Sequence, residues 1–219
     1  VDIKERLEAL QQELPETTKL IAVSKYHTQE EVLEAYEAGQ RRFGENRVQE
    51  LLPKHEALPK DIEWHLIGTL QRNKVKYVVP FVHMIHSIDS EKLLQEVEKE
   101  CIKQGRKYLP VLLQIHISGE ETKHGFSLEE LQELINSDRL TTYQHAQISG
   151  IMGMASLTDD MEQVEREFAQ MKALFDDLRT GAFSESSHFT ELSMGMTHDY
   201  PIAVKHGATI IRVGSAIFG

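Results

Sequence analysis

The chain has 219 residues, 40% of them hydrophobic and 27% charged, which suits one folded domain and argues against disorder. Its formal net charge of −11 disfavours nonspecific nucleic-acid binding. A single cysteine, Cys101, excludes an intrachain disulfide framework, and no run approaches the roughly 20 apolar residues that span a bilayer.

Residues 2–14 carry Ile3, Leu7, Leu10 and Leu14 at helical spacing, and Pro15 closes that helix. A first apolar strand, LIAVSK, covers 20–25. Thr28 then caps a helix that stops at Gly39. FGEN (43–46) reads as the second strand and is followed by a helix over 47–58. WHLIG (64–68) is the third strand, with a short helix over 71–79, and MIHSID (84–89) is the fourth. Ser90 caps a long helix reaching Gly105, which carries Cys101 as a buried thiol. VLLQIH (111–116) is continuous enough to be covered on both faces, as parallel strands are. Ser127 and Glu130 form a capping box ahead of the next helix. ISGIMGM (148–154) precedes a long helix over 159–178. FTELSMGM (189–196) and TIIRVGS (209–215) flank a short helix whose first turn accommodates Pro201.

Eight strands alternating with helices predict an α/β fold, a (β/α)8 TIM barrel with an additional N-terminal helix, forming one domain over 1–219. The competing open, doubly wound sheet lacks its phosphate-cradling GxGxxG after the first strand. Barrel sites lie at the C-terminal ends of the strands, and phosphate commonly sits beyond strands 7 and 8. Here those exits are Ser193-Met194-Gly195-Met196-Thr197 and Gly214-Ser215, whose glycines admit close backbone approach and whose hydroxyls can donate to an anion. Lys25 ends the first strand, where an amine can face the barrel mouth and attack an aldehyde. Period-two alternation puts Arg212 on the face of Gly214, opposite Ile211 and Val213, so Arg212 needs either a protein carboxylate or a ligand atom. The histidines form no compact metal motif, and no GxSxG elbow supports a hydrolase. An aldehyde-bearing phosphate cofactor with a ring nitrogen, pyridoxal 5'-phosphate (PLP), accounts for Lys25, the two turns and Arg212 together.

The same residues resemble the pyridoxal phosphate homeostasis protein family, related to the N-terminal barrel of alanine racemase. The resemblance rests on AVSK (22–25), FGENRVQE (43–50), WHLIGTLQRNK (64–74), IHSIDS (85–90), SGEETKHGF (118–126), GIMGM (150–154), LSMGMTHDYPIAVKHGAT (192–209) and IRVGSAIFG (211–219). It implies an alanine racemase N-terminal-domain-like barrel in which Lys25 forms the internal aldimine and Arg212 meets the pyridine nitrogen. It implies phosphate contacts at Ser193, Gly195, Gly214 and Ser215, and further pocket positions at Asn46, His65, Ser87 and Met154. One departure is His116, where the family pattern has asparagine.

The resemblance implies PLP binding in intracellular cofactor and amino-acid homeostasis, without efficient catalysis. An amino-acid racemase is the first alternative, but the opposing tyrosine of the racemases comes from an additional β-domain. A PLP-responsive regulatory protein is the second. The expected protein is a cytoplasmic monomer without nucleic-acid or membrane partners, and PLP-dependent apo-enzymes are its candidate recipients.

Overall fold

The computed structural model describes residues 1–219. Eight parallel strands close a barrel in chain order, each paired with its sequence neighbours and the last with the first. They are β1 (Lys19–Val23), β2 (Arg42–Glu45), β3 (Glu63–Leu66), β4 (Met84–Ile88), β5 (Leu109–Gln114), β6 (Ala146–Met152), β7 (Glu191–Ser193) and β8 (Ile210–Val213). The eight predicted strands are therefore all present. Each ends short of its apolar run, β7 by the most. β7 meets β8 through one register pair, Ser193 with Ile210, because the chain after Ser193 turns away at Gly195.

Around this barrel run α1 (Ile3–Glu13), α2 (Gln29–Glu37), α3 (Val48–Ala57), α4 (Val75–Val78), α5 (Glu91–Gln104), α6 (Leu128–Ile135), α7 (Met161–Thr180), α8 (Tyr200–Lys205) and α9 (Ser215–Phe218). Their ends follow local chemistry. Thr28 and Ser127 make reciprocal capping boxes with Glu31 and Glu130, and Ser90 accepts from the amide of Leu93. α5 stops at Gly105 in the left-handed region, as predicted. α7 begins two residues later than its periodicity suggests, because Asp160 caps it by accepting from Gln163. The four-residue α9 was not expected, since Ala216, Ile217 and Phe218 read equally well as a strand's continuation. Cys101 is fully buried in α5, and burial pushes its thiol up to about 11, so it is inert packing.

Alternation divides the core in two. Fifty buried residues fill the layer between barrel and helices, among them Leu20, Ala22, Phe43, Trp64, Ile211 and Val213. The barrel interior holds a separate cluster of five, Ile21, Met84, Leu112, Met152 and Ile210. Arg212, two residues after Ile210, shares that inward face, as the sequence pattern predicts. Below the apolar plug, Lys19 pairs with Glu191 at 2.5 Å and Arg42 with Glu63 at 3.4 Å. Polar side chains thus occupy both ends of the interior, and only the C-terminal end carries Lys25. No helix is long and apolar enough to cross a membrane.

Candidate functional site

Lys25 follows β1 in a β-turn that Ser24 opens and His27 closes, the His27 amide donating to the Ser24 carbonyl at 3.0 Å. Tyr26 is the only non-glycine residue with positive φ, at 67°, a conformation that costs of order 1–3 kcal/mol unless its surroundings impose it. They do. Glu50 accepts from the Tyr26 amide at 3.0 Å, and the Lys54 ammonium donates to the Ser24 carbonyl at 2.8 Å. Lys54 is itself buried and paired with Glu45 at 2.5 Å, and Ser24 donates its hydroxyl to the same carboxylate oxygen at 2.8 Å. Burial pushes the Glu45 carboxyl up, against the opposing pull of Lys54 and Ser24. This buried group anchors the turn from behind. The Lys25 amine, by contrast, has neither an acceptor nor a carboxylate partner, its nearest favourable contact being the Tyr26 ring at 6.0 Å. Lys54 and Glu45 had no signal of their own in the sequence, beyond charged residues in an otherwise apolar strand and helix.

Lys25, Arg212, Thr197, Gly214 and Ser215 line one cavity of about 320 Å³ at the C-terminal mouth. The Gly214 amide donates to the Thr197 hydroxyl at 3.2 Å, joining the loop after β7 to the start of α9. The amides of Ser215 and Ala216 find no acceptor in the protein, and Ser215 lines this cavity. A Cβ on Gly214 would lie 3.3 Å from the Val23 carbonyl oxygen, and one on Gly195 would lie 2.7 Å from the Ala203 Cβ. Both loops therefore sit against their neighbours at distances that a side chain would widen.

Arg212 is buried, and burial lowers its guanidinium to about 10, still a cation at neutral pH, with Asp199 opposing the shift. Its hydrogen-bond acceptors are neutral, the Ser193 hydroxyl at 2.9 Å and the Gly153 carbonyl at 3.2 Å. Of the two partners weighed from sequence, a hydrogen-bonded carboxylate is absent, and Arg212 lines the cavity.

The Ser193 hydroxyl is fully buried between Arg212 and His86, and it is Thr197 rather than Ser193 that lines the cavity. The reason is alternation: Ser193 is the last inward residue of β7, whereas Thr197 lies beyond the turn at Gly195. His65 is likewise buried and does not line the cavity; its Nδ1 lies 2.8 Å from His86 Nε2. Asn46 Oδ1 and Ser87 Oγ are buried without protein partners and lie outside the cavity lining. Met154 lines an adjoining cavity of about 290 Å³, which shares Met196 and His198 with the first. His116, the departure noted above, also lies there and accepts from the His124 amide at 3.2 Å. His86 carries no site motif in the sequence, although its parity with Met84 on β4 marks it as inward-facing.

Burial holds both His65 and His86 well below the ordinary value of 6.5, with His86 adding to the effect on His65 and Arg212 to that on His86. With depressed folded-state values, the unfolded chain takes up protons first, so this stability is complete above pH 6.5 and lost as pH falls. Two such groups are expected to cost about 2 kcal/mol between pH 6.5 and 5.5. Glu45 works in the opposite sense at lower pH. Urea unfolding at the two pH values checks the sign and size.

Comparison with known proteins places this geometry. A model of the alanine racemase N-terminal domain matches residues 2–219. A pyridoxal phosphate homeostasis protein of Aquifex aeolicus is 39% identical over 202 residues, covering 92% of this chain and 86% of the relative. One from Schizosaccharomyces pombe is 38% identical, covering 91% and 83%. The structure of PipY from Synechococcus elongatus PCC7942 without PLP superimposes with a TM-score of 0.93 at 40% identity, covering each chain fully. The PLP-bound form of PipY gives 0.89 at 39%, again with full coverage. An alanine racemase from Bartonella henselae shares the fold alone, with a TM-score of 0.77 at 18% identity, over 99% of this chain and 58% of that one.

Proposed function

Since this chain belongs to the pyridoxal phosphate homeostasis protein family, we propose that it binds PLP at the C-terminal mouth of its barrel and serves cofactor homeostasis without efficient amino-acid conversion. The observation that carries the reading is one cavity lined by the unpartnered Lys25, by Ser215 with its free amide at the start of α9, and by the buried Arg212 cation. These donors fit an aldehyde, a phosphate and a ring nitrogen respectively. When bound, PLP supplies an aldehyde electrophile conjugated to an electron-withdrawing ring.

The residues' own work follows from their chemistry. The turn at 24–27 aims the Lys25 amine as a nucleophile. The α9 amides, with Thr197 and Ser215, hold the phosphate by charge-assisted hydrogen bonds. Arg212 keeps a permanent positive charge at the ring nitrogen and so opposes a proton there. An unprotonated ring is a weaker electron sink, which favours holding the cofactor over converting amino acids. Racemization also needs an acid/base group facing Lys25 across the ring. Tyr26 is the only tyrosine lining the cavity, and it follows Lys25 directly in the turn. Further parts of the proposal are that residues 1–219 act as one binding domain, that the protein is a cytoplasmic monomer, and that PLP-dependent apo-enzymes receive its cofactor.

Titration with PLP and with unphosphorylated pyridoxal tests the reading. PLP is expected to bind at one equivalent and far more tightly than pyridoxal. Thr197→Val is expected to weaken PLP by about 1.5–3 kcal/mol, the worth of one hydrogen bond to a charged group. Equal affinity for the two aldehydes would place the anion elsewhere.

A further inference from the structure

Inside the barrel, beneath Arg212, runs a chain of buried polar groups that the proposed chemistry leaves unused. Arg212 Nη1 lies 2.9 Å from Ser193 Oγ, which lies 3.0 Å from His86 Nδ1; His86 Nε2 lies 2.8 Å from His65 Nδ1. Ser193 and His86 are fully buried and His65 is 2% exposed. Barrel interiors at this level are ordinarily filled by branched aliphatic side chains, as the neighbouring layer of Ile21, Leu112 and Ile210 is. Packing alone would not call for two imidazoles and a hydroxyl here, because buried polar groups cost stability unless they are paired.

Proton accounting gives the chain a direction. The guanidinium can only donate, so Ser193 Oγ accepts from Arg212. The Ser193 hydroxyl proton then has one acceptor, His86 Nδ1. This assigns the proton of His86 to Nε2, which donates to His65 Nδ1 and leaves the proton of His65 on its own Nε2. In the reverse arrangement both the Ser193 proton and the His65 Nε2 lone pair would be unpaired. In the favoured one only the His65 Nε2 proton is, since that nitrogen has no partner in either arrangement. Every bond points away from Arg212, so each polarises the next and makes Ser193 Oγ a stronger acceptor.

On the reading of this mouth as a PLP site, we propose that Ser193, His86 and His65 are positioning residues for Arg212. They form a neutral, one-way chain that orients the guanidinium without neutralising it. A carboxylate in the same place would pair with Arg212 and cancel the charge that the ring nitrogen meets. Neutral histidines supply the acceptor and preserve the charge. Asp199 acts on Arg212 only through space, and its side chain is engaged by the Met196 amide at 2.7 Å.

The test uses the full chain loaded with PLP labelled with nitrogen-15 in the ring. His86→Leu removes both nitrogens. His86→Gln keeps a carbonyl to accept from Ser193 and an amide to donate to His65. Ser193→Ala cuts the chain beside Arg212 and serves in place of His86→Leu if that variant does not fold. The leucine and alanine variants are expected to shift the ring-nitrogen resonance and to weaken PLP about tenfold, while glutamine restores both towards wild type. Wild-type resonance and affinity in folded His86→Leu or Ser193→Ala, or no difference between the glutamine and leucine variants, would overturn the proposal. A change in melting temperature alone, with the resonance unmoved, would mean the chain is only structural and would overturn it too. Failure of wild-type protein to bind PLP would instead sink the reading of the site.

Discussion

Lys25→Ala is expected to abolish covalent attachment of PLP while leaving phosphate-dependent, noncovalent binding in place. Lys25 and Lys54 flank the same turn, and the structure separates them sharply. Lys54 is buried, donates to the Ser24 carbonyl and pairs with Glu45, so its amine is committed. Lys25 has no such partner, and its amine lines the same cavity as Thr197, Gly214 and Ser215. Nucleophilic attack on an aldehyde needs an uncommitted amine within reach, and of these two only Lys25 has one. Borohydride reduction followed by peptide mass spectrometry should place the whole adduct on the peptide containing Lys25, and none on any peptide of the alanine variant. An adduct on Lys54, or an undiminished adduct in Lys25→Ala, would show that the turn at 24–27 does not deliver the nucleophile.

Gly150→Ala is expected to destabilise the fold by more than about 4 kcal/mol, the range reached only by severe steric or burial faults. The register between β5 and β6 runs from Val111 opposite Ile148 to Leu112 opposite Gly150, so Ser149 is an extra residue in β6. That bulge presses Gly150 onto β7. A Cβ there would lie 1.8 Å from the Glu191 carbonyl oxygen, and the backbone has φ of 156°. No rotamer relieves the clash, because a Cβ is fixed by the backbone that carries it, and relief requires parting β6 from β7 at the level of Glu191. Gly105→Ala makes the contrast. Gly105 also has positive φ, at 74°, but a Cβ there meets nothing within 4 Å, and the expected cost is only about 1–2 kcal/mol. Urea unfolding of both variants checks the difference. Similar midpoints for the two would mean that the bulge is not as tight as it stands here.

Much of this was legible in the residues because it depends on local rules. Strand alternation put Arg212 inward, and the caps at Thr28, Ser90 and Ser127 follow from their side chains alone. Position along a barrel strand is harder to read than which face a residue takes. Ser193 and Thr197 are both hydroxyls after an apolar run, and only the early end of β7 at Gly195 separates the interior residue from the loop residue. The chain from Arg212 to His65 joins β8, β7, β4 and β3, which are distant in sequence. Each member looked like an isolated polar residue in an apolar strand, and closure of the barrel is what brings them together. Lys54 and Glu45 were obscured for a related reason. A buried ion pair across a strand and the following helix has no spacing signature, and a charged residue in an amphipathic helix ordinarily faces water. The two departures therefore share one cause, long-range juxtaposition, and neither disturbs the expected fold.

The most direct test of the central claim loads the protein with PLP and follows two outcomes in parallel. One is turnover of an amino-acid panel in racemase, transaminase and decarboxylase assays. The other is appearance of activity in a PLP-dependent apo-enzyme added as acceptor. A site that holds its cofactor through Lys25 and opposes ring protonation through Arg212 should give transfer, with turnover far below the ordinary enzymatic range of about 1–10³ s⁻¹. Robust turnover within that range would contradict the account.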